Sequence, residues 1–415
     1  MCKKNETPSP STPNAEGLTT VEKLGFFVPI TLGMLTAFGP FVTDVYLPAM
    51  PSMVEAFNTS PAMLSLSLTA GMIGLAVGQL AIGPLSDKYG RKPLLILSMT
   101  IFSVASLLCM LTTNIHVFNV LRLFQGFGGA GGVALAKSVS SDMYSGRKLI
   151  NFMALLGAIN GISPVFAPIV GGGIASFASW QGVFCFLLVI GIVLLACCCR
   201  LRETLVPERR TTSGMLSVYG NLFKVFHNRR FTLCTLSMMA AFVTFFGYVS
   251  ASPFIFQQIH DLTALEFSLC FGLNALMIGI GAMLGARFHH PNTALKWASI
   301  DLAVSAMLVA ICQWANAPLA VLMPCYVYML LSFGLMQPVC TSIALDSERE
   351  RAGAASAVFG SFNFVAGAIA VPLVSVGNIL ISSGLVMLAG ALLCLSLTLP
   401  LCSALKREGM AKAAQ

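Results

Sequence analysis

Two ionisable side chains lie where this chain has least room for them. Asp44 falls inside AFGPFVTDVYLPAMP and Arg122 inside NVLRLFQGFGGAGG, both within long apolar runs. An ionised group at bilayer depth costs roughly 2.5–3.5 kcal/mol on insertion scales, so it ordinarily faces a cavity or a partner. Asp44 precedes Pro48 by four positions, and Arg122 follows the start of its run by seven. At about 1.5 Å per residue both lie on the order of 6–11 Å below the same membrane boundary, which predicts a shared depth and cavity. A carboxyl there can take up and give back a proton, because its neutral form is cheaper to carry through a dry barrier. A purely structural ion pair is the competing reading.

Other side chains are expected around that pair. Gln125, Gly126, Gly129 and Gly132 recur with Arg122 at helical spacing, which gives one polar, small-residue stripe. The predicted cavity is lined by Asp44, Tyr46, Arg122 and Gln125, with Phe245 and Tyr248 from a later run rich in aromatics (Phe242, Phe246, Phe254, Phe256). For those aromatics a lipid-facing or core position is the ordinary alternative. Lys137 lies about 60° from Arg122 on a helical wheel and either lines the same cavity or snorkels to the nearer interface. Asp301, read as about one turn into its run, is expected to pair with the cations at that surface.

The elements that position these residues follow from composition. Of 415 residues 56% are hydrophobic and 10% charged, with a mean hydropathy of +0.84, whereas a soluble domain carries about a quarter charged residues. Apolar segments recur at 26–48, 62–86, 93–113, 115–137, 149–174 and 181–199, then at 231–256, 265–286, 297–315, 318–344, 352–375 and 384–405. Each is close to the ~20 residues that a spanning helix needs. The expectation is an all-α membrane protein with twelve transmembrane helices in two six-helix bundles. Of the 24 Lys and Arg, all but Arg122 and Lys137 fall in the tails or in alternate loops, which predicts both termini in the cytoplasm.

The domain plan has a disordered tail at 1–24, a bundle at 25–199, a linker at 200–230, a second bundle at 231–405 and a tail at 406–415. Within the basic linker, Leu222, Val225 and Phe226 share one side of a stretch predicted as an amphipathic helix on the inner leaflet. Two six-helix halves joined in this way favour a transporter with its site between the halves.

Two further stretches bear on movement. GPLSDKYGRK, Gly83 to Lys92, is a tight charged turn between two runs. Gly83 is expected to let helices approach and Gly90 to permit the turn. Asp87 stands four residues before Arg91, a spacing at which carboxylate and guanidinium meet. GAINGISPVFAPIVGGG, Gly157 to Gly173, carries Pro164 and Pro168, which bend a helix. Gly157, Gly161, Gly171, Gly172 and Gly173 are expected to pack it closely, as a rocking interface requires.

Some classes are set aside. None of the thirteen cysteines is assigned to an outer loop, so disulfides are not expected. The histidines form no metal-binding spacing, the +8 charge is spread over short loops rather than gathered as a nucleic-acid footprint, and no catalytic motif is present. An enzyme is not expected, nor any cofactor.

GPLSDKYGRKPLL at Gly83–Leu95 resembles the signature loop of the major facilitator superfamily. TDVYLPAMP, RLFQG, APIVGG and ETLVPERR are similar to the drug:proton antiporters of its bicyclomycin/chloramphenicol-resistance branch. The similarity covers the first half and the linker, while the second half matches in layout, with Gly285 to Lys296 a degenerate signature loop. The resemblance implies the major facilitator fold and a monomeric, multi-pass protein of a bacterial inner membrane. It implies export of small, mostly hydrophobic antimicrobials, with protons as coupling ion and the lipid bilayer as the other partner. Export of an endogenous amino acid or sugar is the alternative. Asp44 would be the protonatable residue and Arg122 the arginine of proton transfer. Gly83, Asp87, Gly90, Arg91, Lys92 and Asp142 would form the inner gate; Gly161, Pro164, Pro168, Gly171 and Gly172 would form the antiporter motif. Ser141 stands where relatives usually carry arginine, and Thr36 where some carry a second acid.

Overall fold

Prolines and glycines in the apolar runs decide where the helices break and touch. The computed structural model describes residues 26–210, 219, 220, 222, 224–288 and 291–413. The first helix, α1 (Phe27–Ala56), consists of Phe27–Thr36, Phe38–Asp44, a 3-10 turn at Leu47–Ala49 and Met50–Ala56. Pro40 and Pro48 lack an N–H, so the carbonyls of Thr36 and Asp44 lose their usual helical donors just where the breaks fall.

The chain continues as α2 (Pro61–Tyr89), α3 (Arg91–Leu111), α4 (Ile115–Met143), α5 (Gly146–Phe177) and α6 (Trp180–Arg200). After the linker come α7 (Arg229–Phe254, extended by a π turn at Ile255–Ile259), α8 (Ala264–Ala286), α9 (Pro291–Trp314), α10 (Leu319–Ser347), α11 (Ala352–Val374) and α12 (Ile379–Ala413). Each expected run is a helix, and several overrun their apolar stretch, α12 through positions expected as a tail. Eleven are long and apolar enough among the described residues to cross a membrane. The twelfth, α4, is 29 residues long and carries Arg122, Lys137 and five glycines from Gly126 to Gly132 in its sequence, which lowers its hydropathy.

Helices in lipid gain little from hydrophobicity toward one another, so close packing must hold them. A Cβ on Gly126 of α4 would strike the Gly71 carbonyl of α2, and one on Gly74 the Leu123 carbonyl of α4. In the second half, Gly281 of α8 and Gly334 of α10 each meet the other helix's backbone in the same way. α1–α6 and α7–α12 thus form two bundles. Across them α2 packs on α11, α5 on α8, and the end of α1 on α7.

Three expectations need correction. A Cβ on Gly83 would meet nothing within 4 Å, so this residue does not serve close approach. Gly157, Gly161 and Gly173 likewise face open space, while Gly171 abuts the Val45 carbonyl and Gly172 abuts Ser268 across the bundles. In the linker, residues 219, 220 and 222 are helical and Lys224–His227 is a 3-10 turn. Leu222 and Val225 are buried in protein rather than laid on a leaflet, and Phe226 lies 5.1 Å from Phe362 of α11. The tail at 1–24 and linker positions 211–218, 221 and 223 lie outside the described residues.

Candidate functional site

The break after Asp44 leaves the last carbonyls of that turn free of intrahelical donors, and Arg122 of α4 uses one. Its Nη2 donates to the Val42 carbonyl at 2.7 Å, its Nη1 to Gln125 Oε1, and its guanidinium sits 4.2 Å from the centre of the Tyr46 ring. Gln125 donates in turn to Ser106 at 2.7 Å, and the Tyr46 hydroxyl lies 3.2 Å from that of Ser67. Nε of Arg122 has no acceptor among the described residues. A desolvated cation over an aromatic face gains on the order of 2 kcal/mol, which helps hold this charge without a carboxylate.

Asp44 and Arg122 are therefore at one depth, as expected, but they are not a pair. Arg122, Tyr46 and Gln125 are all fully buried inside the first bundle, which corrects their expected place as cavity lining. Asp44 is 4% exposed and lies within electrostatic reach of Tyr248 of α7, in the other bundle. Tyr248 is itself core, accepting from Asn274 Nδ2 of α8 at 2.8 Å and lying 4.9 Å from Tyr326. Asn274 was missed in the sequence; a lone amide inside an apolar run was the available signal.

Between the bundles the aromatic surface is narrower than expected. Phe245 is half-buried and stacks on Phe333 of α10 at 4.9 Å. Phe246, Phe254 and Phe256 are buried. Phe364 of α11, not anticipated, reaches across to Gly39, where a Cβ would lie 3.9 Å from its ring and 3.7 Å from Val133 of α4. Asp301 is also relocated. It lies ten positions into α9, about 15 Å along the axis, and accepts from the Tyr328 hydroxyl at 3.3 Å rather than pairing with surface cations.

The turn between α2 and α3 marks what we call the basic face. Gly90 has φ +104°, a conformation that favours glycine. Arg91 there joins Asp87 at 2.5 Å and Asp142 of α4 at 2.9 Å, and it donates to Ser86 at 2.6 Å. Asp142 makes this contact with serine, not arginine, at position 141. Glu203 of the linker accepts from the backbone N–H of Arg91 at 2.9 Å and of Lys92 at 3.2 Å, so a carboxylate caps the positive end of α3. Thr204 donates to Asp142 at 3.3 Å. Glu203 was not singled out in the sequence, although it is one of two acids in a linker with seven cations.

Two stiff bundles meeting along a seam, with buried polar groups on both sides of it, define a multi-pass membrane transporter and not an enzyme. The chain belongs to the major facilitator superfamily, whose family model matches residues 32–371. It is 33% identical over 353 residues to an uncharacterised MFS-type transporter of Bacillus subtilis, covering 84% of this chain and 88% of that one. It is 27% identical over 359 residues to a bicyclomycin resistance protein homolog of Haemophilus influenzae, again covering 84% and 88%. Such relatives support the bicyclomycin/chloramphenicol-resistance branch. Among solved structures, a nucleoside transporter superposes with a TM-score of 0.70 at 13% identity, over 91% of this chain and 99% of that one, which shows the shared fold.

Proposed function

We propose that this protein exports small, mostly hydrophobic antimicrobials, of the chloramphenicol or bicyclomycin kind, in exchange for protons. The observation that carries the reading is Asp44, a carboxyl buried at the seam of the bundles with no cation as its partner among the described residues. A carboxylate so placed favours its neutral form whenever a proton can reach it. In the proposed cycle a proton binds Asp44 when the seam opens to the outside and leaves on the cytoplasmic side as substrate enters. The half-buried aromatic rings of Phe245 and Phe364 offer apolar contact to such substrates.

The basic face is assigned to the cytoplasm by the bias of Lys and Arg, in a bacterial inner membrane and with both termini inside. α5 meets α8 through Val165, Ile169 and Gly172 against Gly272, Ser268 and Ala264, toward the opposite face. The first half of α5 shows no such contact at its glycines, since a Cβ on Gly157 or Gly161 would meet nothing within 4 Å. We read this arrangement as an inward-open state, in a protein that we propose works as a monomer by alternating access.

The test is to add substrate to purified protein in weak buffer and follow pH. Wild type is expected to release protons and Asp44→Asn to release none. Equal release from both rejects Asp44 as the coupling group.

A further inference from the structure

Two thiols meet where α9 and α10 turn back on each other. The sulfurs of Cys312 and Cys325 lie 3.8 Å apart. Both residues are half-buried, and the Cys325 thiol points at the carbonyl of exposed Val321, 3.4 Å away. A disulfide needs its sulfurs at about 2.05 Å, a gap that one side-chain rotation can close. The next residues along hold the pair in register. Gln313 donates to the Tyr326 hydroxyl at 2.8 Å, and both side chains are buried. The indole N–H of Trp314 donates to the Ile381 carbonyl of α12 at 3.3 Å, which anchors the same end of α9.

The side of the membrane follows from the other end of α10. Its last residue, Ser347, accepts from Asn228 at 2.8 Å, beside Arg229, Arg349 and Arg351, so α10 ends at the basic face. Cys325 stands 22 positions before Ser347, about 33 Å along the axis, and Cys312 is two positions from the end of α9. Both thiols therefore sit at the face opposite the cations. A second pair makes the contrast. The Cys234 thiol donates to the Cys340 carbonyl at 3.0 Å, but both are fully buried and lie in the half of the bundle nearer the basic face, where a cytoplasm keeps thiols reduced.

We infer that Cys312 and Cys325 form a disulfide on the outer side of the membrane, stapling the ends of α9 and α10. The oxidant is a protein or small-molecule disulfide of that compartment. One cysteine thiolate attacks it, forming a mixed disulfide and expelling one thiolate. The other cysteine thiolate then attacks the mixed disulfide, closing the Cys312–Cys325 bond and expelling the second. Two cysteine thiols are oxidised, the oxidant is reduced to two thiols, and the cysteine protons pass to the expelled thiolates. Loop position had argued against any disulfide; these cysteines lie inside helices and become neighbours only when α9 packs on α10. Since α9 packs on α10 and α12, all within the second bundle, the bond moves with one bundle and leaves the seam free. The inference rests on the cytoplasmic assignment of the basic face, not on the export reading.

The experiment places a protease site between Asn316 and Ala317 of the full chain, in the turn after α9. Membranes from expressing bacteria are treated with N-ethylmaleimide to cap free thiols, then solubilised, cut and run with and without reductant. Wild type is expected as one joined band without reductant and as two fragments with it. Cys312→Ser and Cys325→Ser are each expected to split in both conditions. Wild type that splits without reductant overturns the proposal. A joined band that persists in either serine variant would assign the bond to other cysteines, and overturns it too. Wild type that splits as isolated but joins after treatment with oxidised glutathione would place the pair in a reducing compartment, which rejects the outer disulfide. Chymotryptic mapping of the chain without the inserted site, alkylated before reduction, reads the same bond: Cys312 and Cys325 are expected in one cross-linked pair of peptides, and finding both alkylated rejects it. Proton release from Asp44 is measured apart, so the export reading can fail while the disulfide stands.

Discussion

Arg122 is the residue whose meaning changed most between sequence and structure. Its depth was legible from seven positions of helix, because helical rise is fixed. Its direction was not, because the Val42 carbonyl becomes an acceptor only when α1 breaks, and Tyr46 becomes a platform only when that break turns it inward. Truncation to alanine would leave that carbonyl and Gln125 unsatisfied and remove the cation–π contact, for a loss of about 2–4 kcal/mol. Thermal unfolding of purified Arg122→Ala should show it. Arg122→Lys should rescue little, since an ammonium lacks the planar fork that meets two acceptors while stacking. A second contrast separates glycines that look equivalent in the sequence. Gly171→Ala would drive a methyl into the Val45 carbonyl, whereas Gly161→Ala meets no atom within 4 Å. Folded yield measured by fluorescent size-exclusion should fall for Gly171→Ala and stay near wild type for Gly161→Ala.

At the scale of elements, apolar runs and their flanking charges located every helix, since length and hydropathy are local properties. The ends were harder. α2 continues to Tyr89 past the last apolar residue, and α12 to Ala413, because a helix needs only its own backbone to extend beyond lipid. The start of α3 depends on a residue more than a hundred positions away, Glu203, which no local pattern reveals. Removing that carboxylate should cost about 0.5–2 kcal/mol, the range for a cap and a charge at a helix N-terminus. Glu203→Gln is expected to lose less than Glu203→Ala, because an amide oxygen can still accept. Amide exchange of Arg91 and Lys92 would read this directly, and unchanged exchange in both variants would remove Glu203 from the cap.

For the whole molecule, six helices on each side of a basic linker could be read from periodicity and charge, and the two bundles are what the fold shows. What could not be read is which helices face across the seam. That depends on contacts such as α5 on α8, where Gly172 meets Ser268 and Ala264 while Gly157, Gly161 and Gly173 face open space. Topology offers a direct check. A reporter fused after Leu222 is expected in the cytoplasm and one at Phe57 in the periplasm; both on one side would end the twelve-span scheme. A paired-cysteine variant, Ile169→Cys with Gly272→Cys, should cross-link readily in this conformation and less when substrate and an outward proton gradient are supplied. Cross-linking indifferent to both would show that the seam does not open there.

The hydroxyl of Ser361 on α11 donates to the Ala76 carbonyl of α2 at 2.9 Å, near the middle of both helices. On the proposed alternating-access cycle, a contact placed there would act as a fulcrum rather than a latch. With ~15 Å from it to either membrane surface, a tilt of ~15° moves each end by about 4 Å in opposite directions. In that cycle one bond at the pivot would persist through the stroke while both mouths exchange roles, and the work would fall on side chains far from the axle.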